Sequence, residues 1–191
     1  MRGAARAKAI ERTLSDIKFL LIAQNHPERI FEVQNIWRTA GQQNVAPIRF
    51  YLPHAAHDFV QSEIALNGNF FDAATLEAAN PFFQDGAVIL DIGANIGNNA
   101  LYYACVRRAQ KVYAFEPMSD LFAILKENVH LNALENIIEM HNFALGEKES
   151  FASVLVRPFT NLGASAIKET AEGFLKIKSL DELQSQHAKT I

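Results

Sequence analysis

The chain has 191 residues, 49% hydrophobic and 20% charged, enough for a domain-sized core and unlike a disordered or fibrous chain. A formal net charge of −3 gives no general nucleic-acid footprint, and no apolar run is long enough to span a membrane. The single cysteine, Cys105, cannot form an internal disulfide, so a reducing, cytoplasmic setting is the simpler reading, with Cys105 structural.

The N-terminal stretch is basic at first, but its longest apolar run, Phe19 to Ala23, is too short for a signal-peptide core, and Glu11 and Asp16 ill suit a transit peptide. Ile10, Leu14, Ile17 and Leu21 recur at helical spacing, which predicts a docked amphipathic helix. Residues 1–47 thus read as a helical extension and 48–191 as the main domain. Next come a short strand at Ile48 to Leu52, a break at Pro53, and a helix or second strand from Asp58. Asp72 is placed to cap a helix that Asn80 and Pro81 end. His54 and His57 lack a third ligand at fitting spacing, so no metal site is expected. Phe70 and Phe71 read as core in preference to a pocket mouth.

The most informative stretch is "VILDIGANIGNNALYYA", Val88 to Ala104. A continuous apolar run from Ala87 to Leu90, prolonged by Ile92, is the pattern of a buried parallel strand. Gly93 and Gly97 punctuate it, and Ala100, Leu101, Ala104 and Val106 suit a helix lying back on a sheet. A second strand follows at Lys111 to Phe115, closed by Glu116 and Pro117. Ser119 is placed to cap a helix carrying Leu121, Leu125 and Val129, and a third strand runs from about Ile137 to Leu145. Strands alternating with helices at this spacing imply βαβ units and a parallel, doubly wound α/β sheet. Beyond Gly146, "SFASVLVRP" and "GFLKIKSL" read as strands flanking a loop, and Ser179 with Glu182 forms a capping box opening a short helix.

The glycine turn is not the dinucleotide fingerprint, because Asn95 stands where the second glycine would let backbone meet a pyrophosphate. This disfavours an NAD-dependent oxidoreductase. Glu116, 23 residues after Gly93, stands near the spacing at which a carboxylate accepts ribose hydroxyls. Together these residues describe a ribose site without a pyrophosphate cradle.

The segments "LDIGANIGNNALYYA", "VYAFEPMSDLFAILKENVHLN" and "NFALGEKE" closely resemble the FkbM family of S-adenosylmethionine-dependent methyltransferases. The upstream "RFYLPHAAHDFVQSEIALNGNFFDAATLEA" and the later "NLGASAI" are also similar to that family, so the likeness runs from about Ile48 to the end. The resemblance implies a Rossmann-like methyltransferase fold and methyl transfer from S-adenosylmethionine, which carries a nucleoside and no phosphate. The implied acceptor is a hydroxyl of a sugar, polyketide or other small metabolite; separately, the net charge leads to an expectation of no nucleic-acid partner. Carried over by position, Asp91 and Gly93 would lie beside the methionine portion, and Asn95 and Gly97 would shape the turn. Glu116 would bind the ribose and Pro117 the adenine pocket. Asn142, Phe143 and Ala144 would meet the adenine edge, and Asn98 would add a polar contact or cap its helix. No catalytic base is identified. In the family a Lys-Ile-Asp-Val-Glu-Gly-like strand follows the "SLDEL" helix, whereas this sequence stops at Thr190 and Ile191. The resemblance therefore implies missing C-terminal strands, an apolar sheet edge open to self-association, and, as the alternative function, a noncatalytic nucleoside-binding remnant.

Overall fold

The computed structural model describes residues 24–33 and 47–181, with single positions 6, 10, 13, 14, 16, 17 and 20. Two compact units divide it, Met1–Phe71 and Asp72–Ile191.

In the first unit, strands β1 (Ile30–Val33) and β2 (Ile48–Tyr51) pair antiparallel, across the 47/48 division drawn from the sequence. The register sets Phe31 opposite Phe50 and Val33 opposite Ile48, and all four are buried. Phe70 meets Phe50 edge-on at 5.7 Å, so it is a core residue here. From Asp58 the chain is helical: α1 spans Phe59–Asn67, with Asp58 Oδ1 accepting from Gln61 N at 3.0 Å and Gly68 closing the helix in the left-handed region. Ile10, Leu14 and Ile17 are helical, as their spacing predicts, but they are about half exposed where docking was expected; Leu21 lies outside the described residues.

The second unit opens with helix α2 (Ala73–Ala79), which passes into a 3-10 turn at Asn80–Phe82 where Pro81 withholds an N–H. Asp72 precedes α2 at φ 51° and makes no side-chain cap bond. Strands β3 (Val88–Ile92), β4 (Lys111–Phe115) and β5 (Ile138–His141) form a parallel sheet in the order β3-β4-β5. Helices α3 (Asn98–Cys105) and α4 (Ser119–Leu131) make the crossovers that parallel strands require. Ile89, Asp91, Val112, Ala114 and Ile138 alternate onto the buried face of this sheet. This is the parallel α/β, Rossmann-like architecture expected.

The third expected strand is broken in two. β5 ends at His141 and β6 (Ala144–Gly146) belongs to a second sheet of order β6-β9-β7-β8. β7 (Ser150–Val156) and β9 (Leu175–Ser179) are the two flanking strands read from the sequence, antiparallel to each other. The loop between them carries an additional strand, β8 (Ala166–Glu169), paired to β7 with a bulge near Val154–Val156. Leu180 and Asp181 turn helical after Ser179, and the rest of the predicted helix lies outside the described residues. No described helix is long and apolar enough to cross a membrane.

Candidate functional site

The turn after β3 is locked from three directions. Gly93 N and Ala94 N both donate to Phe115 O at 2.9 Å, at the end of β4. Asn95 N donates to Glu116 Oε2 at 2.8 Å, and the buried Asn128 of α4 donates from Nδ2 to Ile96 O at 2.8 Å. Gly97 N closes onto Ala94 O at 2.8 Å. The N–H groups at 93, 94, 95 and 97 are thus all engaged within the protein. Asn95 itself lies at φ 53°, a left-handed position that Asn tolerates better than most side chains.

The two glycines do different work. A Cβ on Gly93 (φ 82°) would meet nothing within 4 Å, so the space before it is open. A Cβ on Gly97 (φ 92°) would lie 2.7 Å from Leu125 Cδ1, so that glycine lets α3 pack against α4.

Glu116 follows β4 directly, as Pro117 removes the next ladder donor. Its carboxylate accepts from Met118 N through Oε1 and from Asn95 N through Oε2, each at 2.8 Å. A carboxylate has about four lone-pair positions, so acceptor capacity remains for a ligand diol. Burial raises the Glu116 carboxyl above its usual range, and the Met118 and Asn95 N–H groups oppose the rise.

A cavity of about 230 Å³ opens in front of these groups. Gly93, Glu116, Pro117 and Ala144, all expected site residues, line it. Met118 and Leu121 add apolar wall from α4 and the turn before it, and Leu162, Gly163, Ser165 and Ile167 close the opposite side. This second wall comes from the "NLGASAI" stretch. Gly163 is pressed there against the glycine turn, since a Cβ on it would stand 2.5 Å from Asn95 Nδ2.

The remaining expected residues stand behind the lining. Asp91 is buried beside the start of α3, where Oδ2 has no hydrogen-bond partner. Burial pushes its carboxyl up to about 6, the Ala100 N–H opposes this, and the Glu116 charge adds to it. Asn98 is buried at the first position of α3 and donates from Nδ2 to Asn99 Oδ1 at 2.9 Å. Phe143 packs on Phe115 and His141 with the Lys178 ammonium 4.9 Å above its ring. Asn142 turns its amide onto the Glu116–Pro117 backbone, with Nδ2 to Glu116 O at 2.9 Å and to Pro117 O at 3.2 Å.

Open backbone at Gly93, a buried acid with acceptor capacity after the second strand, and Asn95 in place of the dinucleotide fingerprint's second glycine fit a nucleoside carrying a non-phosphate tail. Residues 77–164 match the family model described as the TRM5/TYW2 methyltransferase domain. The match covers a little under half of the chain. The chain is similar to the structure of P. horikoshii TYW2 in complex with MeSAdo (20% identity, 54% of this chain and 34% of that one, TM-score 0.38). It is also similar to the B. subtilis M1A22 tRNA methyltransferase TrmK (23%, 36% and 30%, TM-score 0.32). A third is the methyltransferase FkbM from Methylobacillus flagellatus KT (18%, 52% and 23%, TM-score 0.34). The chain thus spans well under half the length of each of these structures. No curated protein sequence matches it.

Proposed function

We propose that the domain holds S-adenosylmethionine in the cleft at the carboxyl ends of β3 and β4 and positions it for methyl transfer to an acceptor bound beside the Leu162–Ile167 wall. The observation that carries this reading is Glu116, a buried carboxylate fixed by two backbone donors with its remaining lone pairs available to the cleft. Glu116 receives the ribose hydroxyls, Gly93 gives backbone clearance to the methionine portion, and Pro117 and Ala144 flank the base. When bound, the cofactor supplies an electrophilic methyl group for in-line displacement. Glu116 is the single titratable side chain among the described residues lining the cleft, and it is committed to binding. The contribution of these residues to rate is therefore positioning and exclusion of water.

For the acceptor, our reading is a hydroxyl of a sugar, polyketide or other small metabolite, as for the FkbM family. It is supported by the "NLGASAI" segment, part of that resemblance, lining the same cleft as Glu116. A second reading, an RNA acceptor, is favoured by the TRM5/TYW2 match and by the tRNA methyltransferase among the similar structures. It stands against the expectation of no nucleic-acid partner, which rested on net charge alone. The full chain incubated with methyl-tritiated S-adenosylmethionine, and with tRNA or a panel of hydroxylated metabolites, separates the two. Label in the metabolites alone supports the first; label in tRNA alone overturns it in favour of the second. Label in neither, with S-adenosylhomocysteine still bound, supports the noncatalytic alternative. A cytoplasmic setting and self-association along β3, whose Val88, Leu90 and Ile92 are exposed, complete the proposal. A sedimentation coefficient independent of concentration would remove the self-association part.

A further inference from the structure

We propose that Asn142 is a positioning residue that aims the Glu116 carboxylate at the ribose, acting through the peptide planes on either side of Pro117. The inference rests on the cofactor reading above and assigns Asn142 a place other than the adenine edge.

The parallel ladder between β4 and β5 continues as far as Glu116 N, which donates to His141 O at 3.0 Å. It stops there because Pro117 has no N–H. The Glu116 and Pro117 carbonyls consequently sit beyond the last ladder bond, and Asn142 Nδ2 donates to both, at 2.9 and 3.2 Å. The other end of the Asn142 amide is also held, since Ser119 Oγ donates to its Oδ1 at 3.2 Å. Three contacts of consistent polarity therefore fix the orientation of this amide.

A peptide unit is planar and trans, so the Pro117 carbonyl and the Met118 N–H are opposite ends of one rigid plane. Holding Pro117 O toward Asn142 directs Met118 N–H the other way, and it donates to Glu116 Oε1 at 2.8 Å. The plane before it carries the Glu116 carbonyl, so the same amide also restrains the backbone from which the acid projects. An exposed asparagine thereby sets the direction of a buried carboxylate. Its effect should be felt through the ribose diol, whereas an adenine contact would be felt through the base.

The test measures binding of S-adenosylhomocysteine and of its 2′,3′-dideoxy analogue by calorimetry to the full chain and to Asn142→Ala, with Asn142→Ser as a second variant should the first fail to fold. The variants should bind S-adenosylhomocysteine about three- to tenfold more weakly, the scale of one or two lost neutral hydrogen bonds, and bind the dideoxy analogue within about twofold of the parent. Equal losses on both ligands, or no loss on either, would overturn the proposal. If the unsubstituted chain fails to bind S-adenosylhomocysteine, the cofactor reading itself fails and takes this one with it. The two failures are distinguishable because that result precedes any substitution.

Discussion

Glu116 Oε2 accepts a hydrogen bond from Asn95 N at 2.8 Å, across 21 residues of chain, so the acid after the second strand and the turn after the first are one unit. Glu116→Ala should therefore have two effects. S-adenosylhomocysteine binding should weaken by about 1.5 to 3 kcal/mol, the scale of hydrogen bonds to a charged group. Stability should fall as well, because Asn95 N and Met118 N lose their acceptor. Calorimetry on the folded fraction, with a denaturant titration alongside, checks both. Affinity within about twofold of the parent would remove Glu116 from the ribose.

Gly93→Ala and Gly97→Ala should separate binding from folding. Both residues have positive φ, so each alanine carries a backbone cost of about 1–2 kcal/mol. At Gly97 the new methyl also collides with Leu125, so its melting temperature should drop further while the folded molecules bind normally. At Gly93 the methyl enters open space that the proposed cofactor would occupy, so affinity per folded molecule should fall at least tenfold. Equal affinities in the two variants would mean that Gly93 serves only the turn.

Asp91 predicts a pH dependence. Its folded carboxyl titrates near 6, against an ordinary 3.8, because burial disfavours the charge. A raised carboxyl means that between these values the folded state binds more protons than the unfolded state, so stability falls as pH rises through the window. Ionisation then costs on the order of 3 kcal/mol at neutral pH, and lowering the pH from 7 to 5 should recover a little under half of it. Asp91→Asn should be more stable than the parent at pH 7 and should lack most of that gain, the remainder coming from Glu116, whose carboxyl is raised in the same direction. Denaturant midpoints at pH 5 and pH 7 that move in parallel for both proteins would contradict the assignment.

The Cys105 thiol is pushed up to about 11 by burial, and only the thiolate is nucleophilic. Labelling with a thiol reagent at pH 8 should be slow in the folded protein and at least tenfold faster in denaturant. Equal rates in the two states would contradict a structural role for this half-buried thiol.

The parts of the fold legible in the sequence were those written in local patterns. Lys111 to Phe115 is β4 with the same bounds, and the Val88–Ile92 run and both glycines fall where the apolar pattern put them. Side-chain partnerships across the fold were not legible. Ser119 opens α4 but serves Asn142 instead of capping its own helix, because the strand end at His141 brings that asparagine within reach. Asn142 likewise breaks the long third strand, which apolar content alone reads as continuous. β1 was missed because four residues, "IFEV", show too short an alternation to stand out, and β8 because it is anchored by pairing with β7. The Leu162–Ile167 wall carries no charged side chain, and its one hydroxyl, Ser165 Oγ, donates to the local Leu162 carbonyl, so its closeness to Asn95 and Glu116 in space is what marks it as part of the site.

The most direct test of the cofactor reading is a pair of calorimetric titrations of the full chain at one salt concentration and pH, with S-adenosylhomocysteine and with NADH. The account predicts saturable one-to-one binding of S-adenosylhomocysteine that Glu116→Ala weakens, and no heat of binding with NADH. Saturable binding of NADH, or S-adenosylhomocysteine binding untouched by Glu116→Ala, would contradict it.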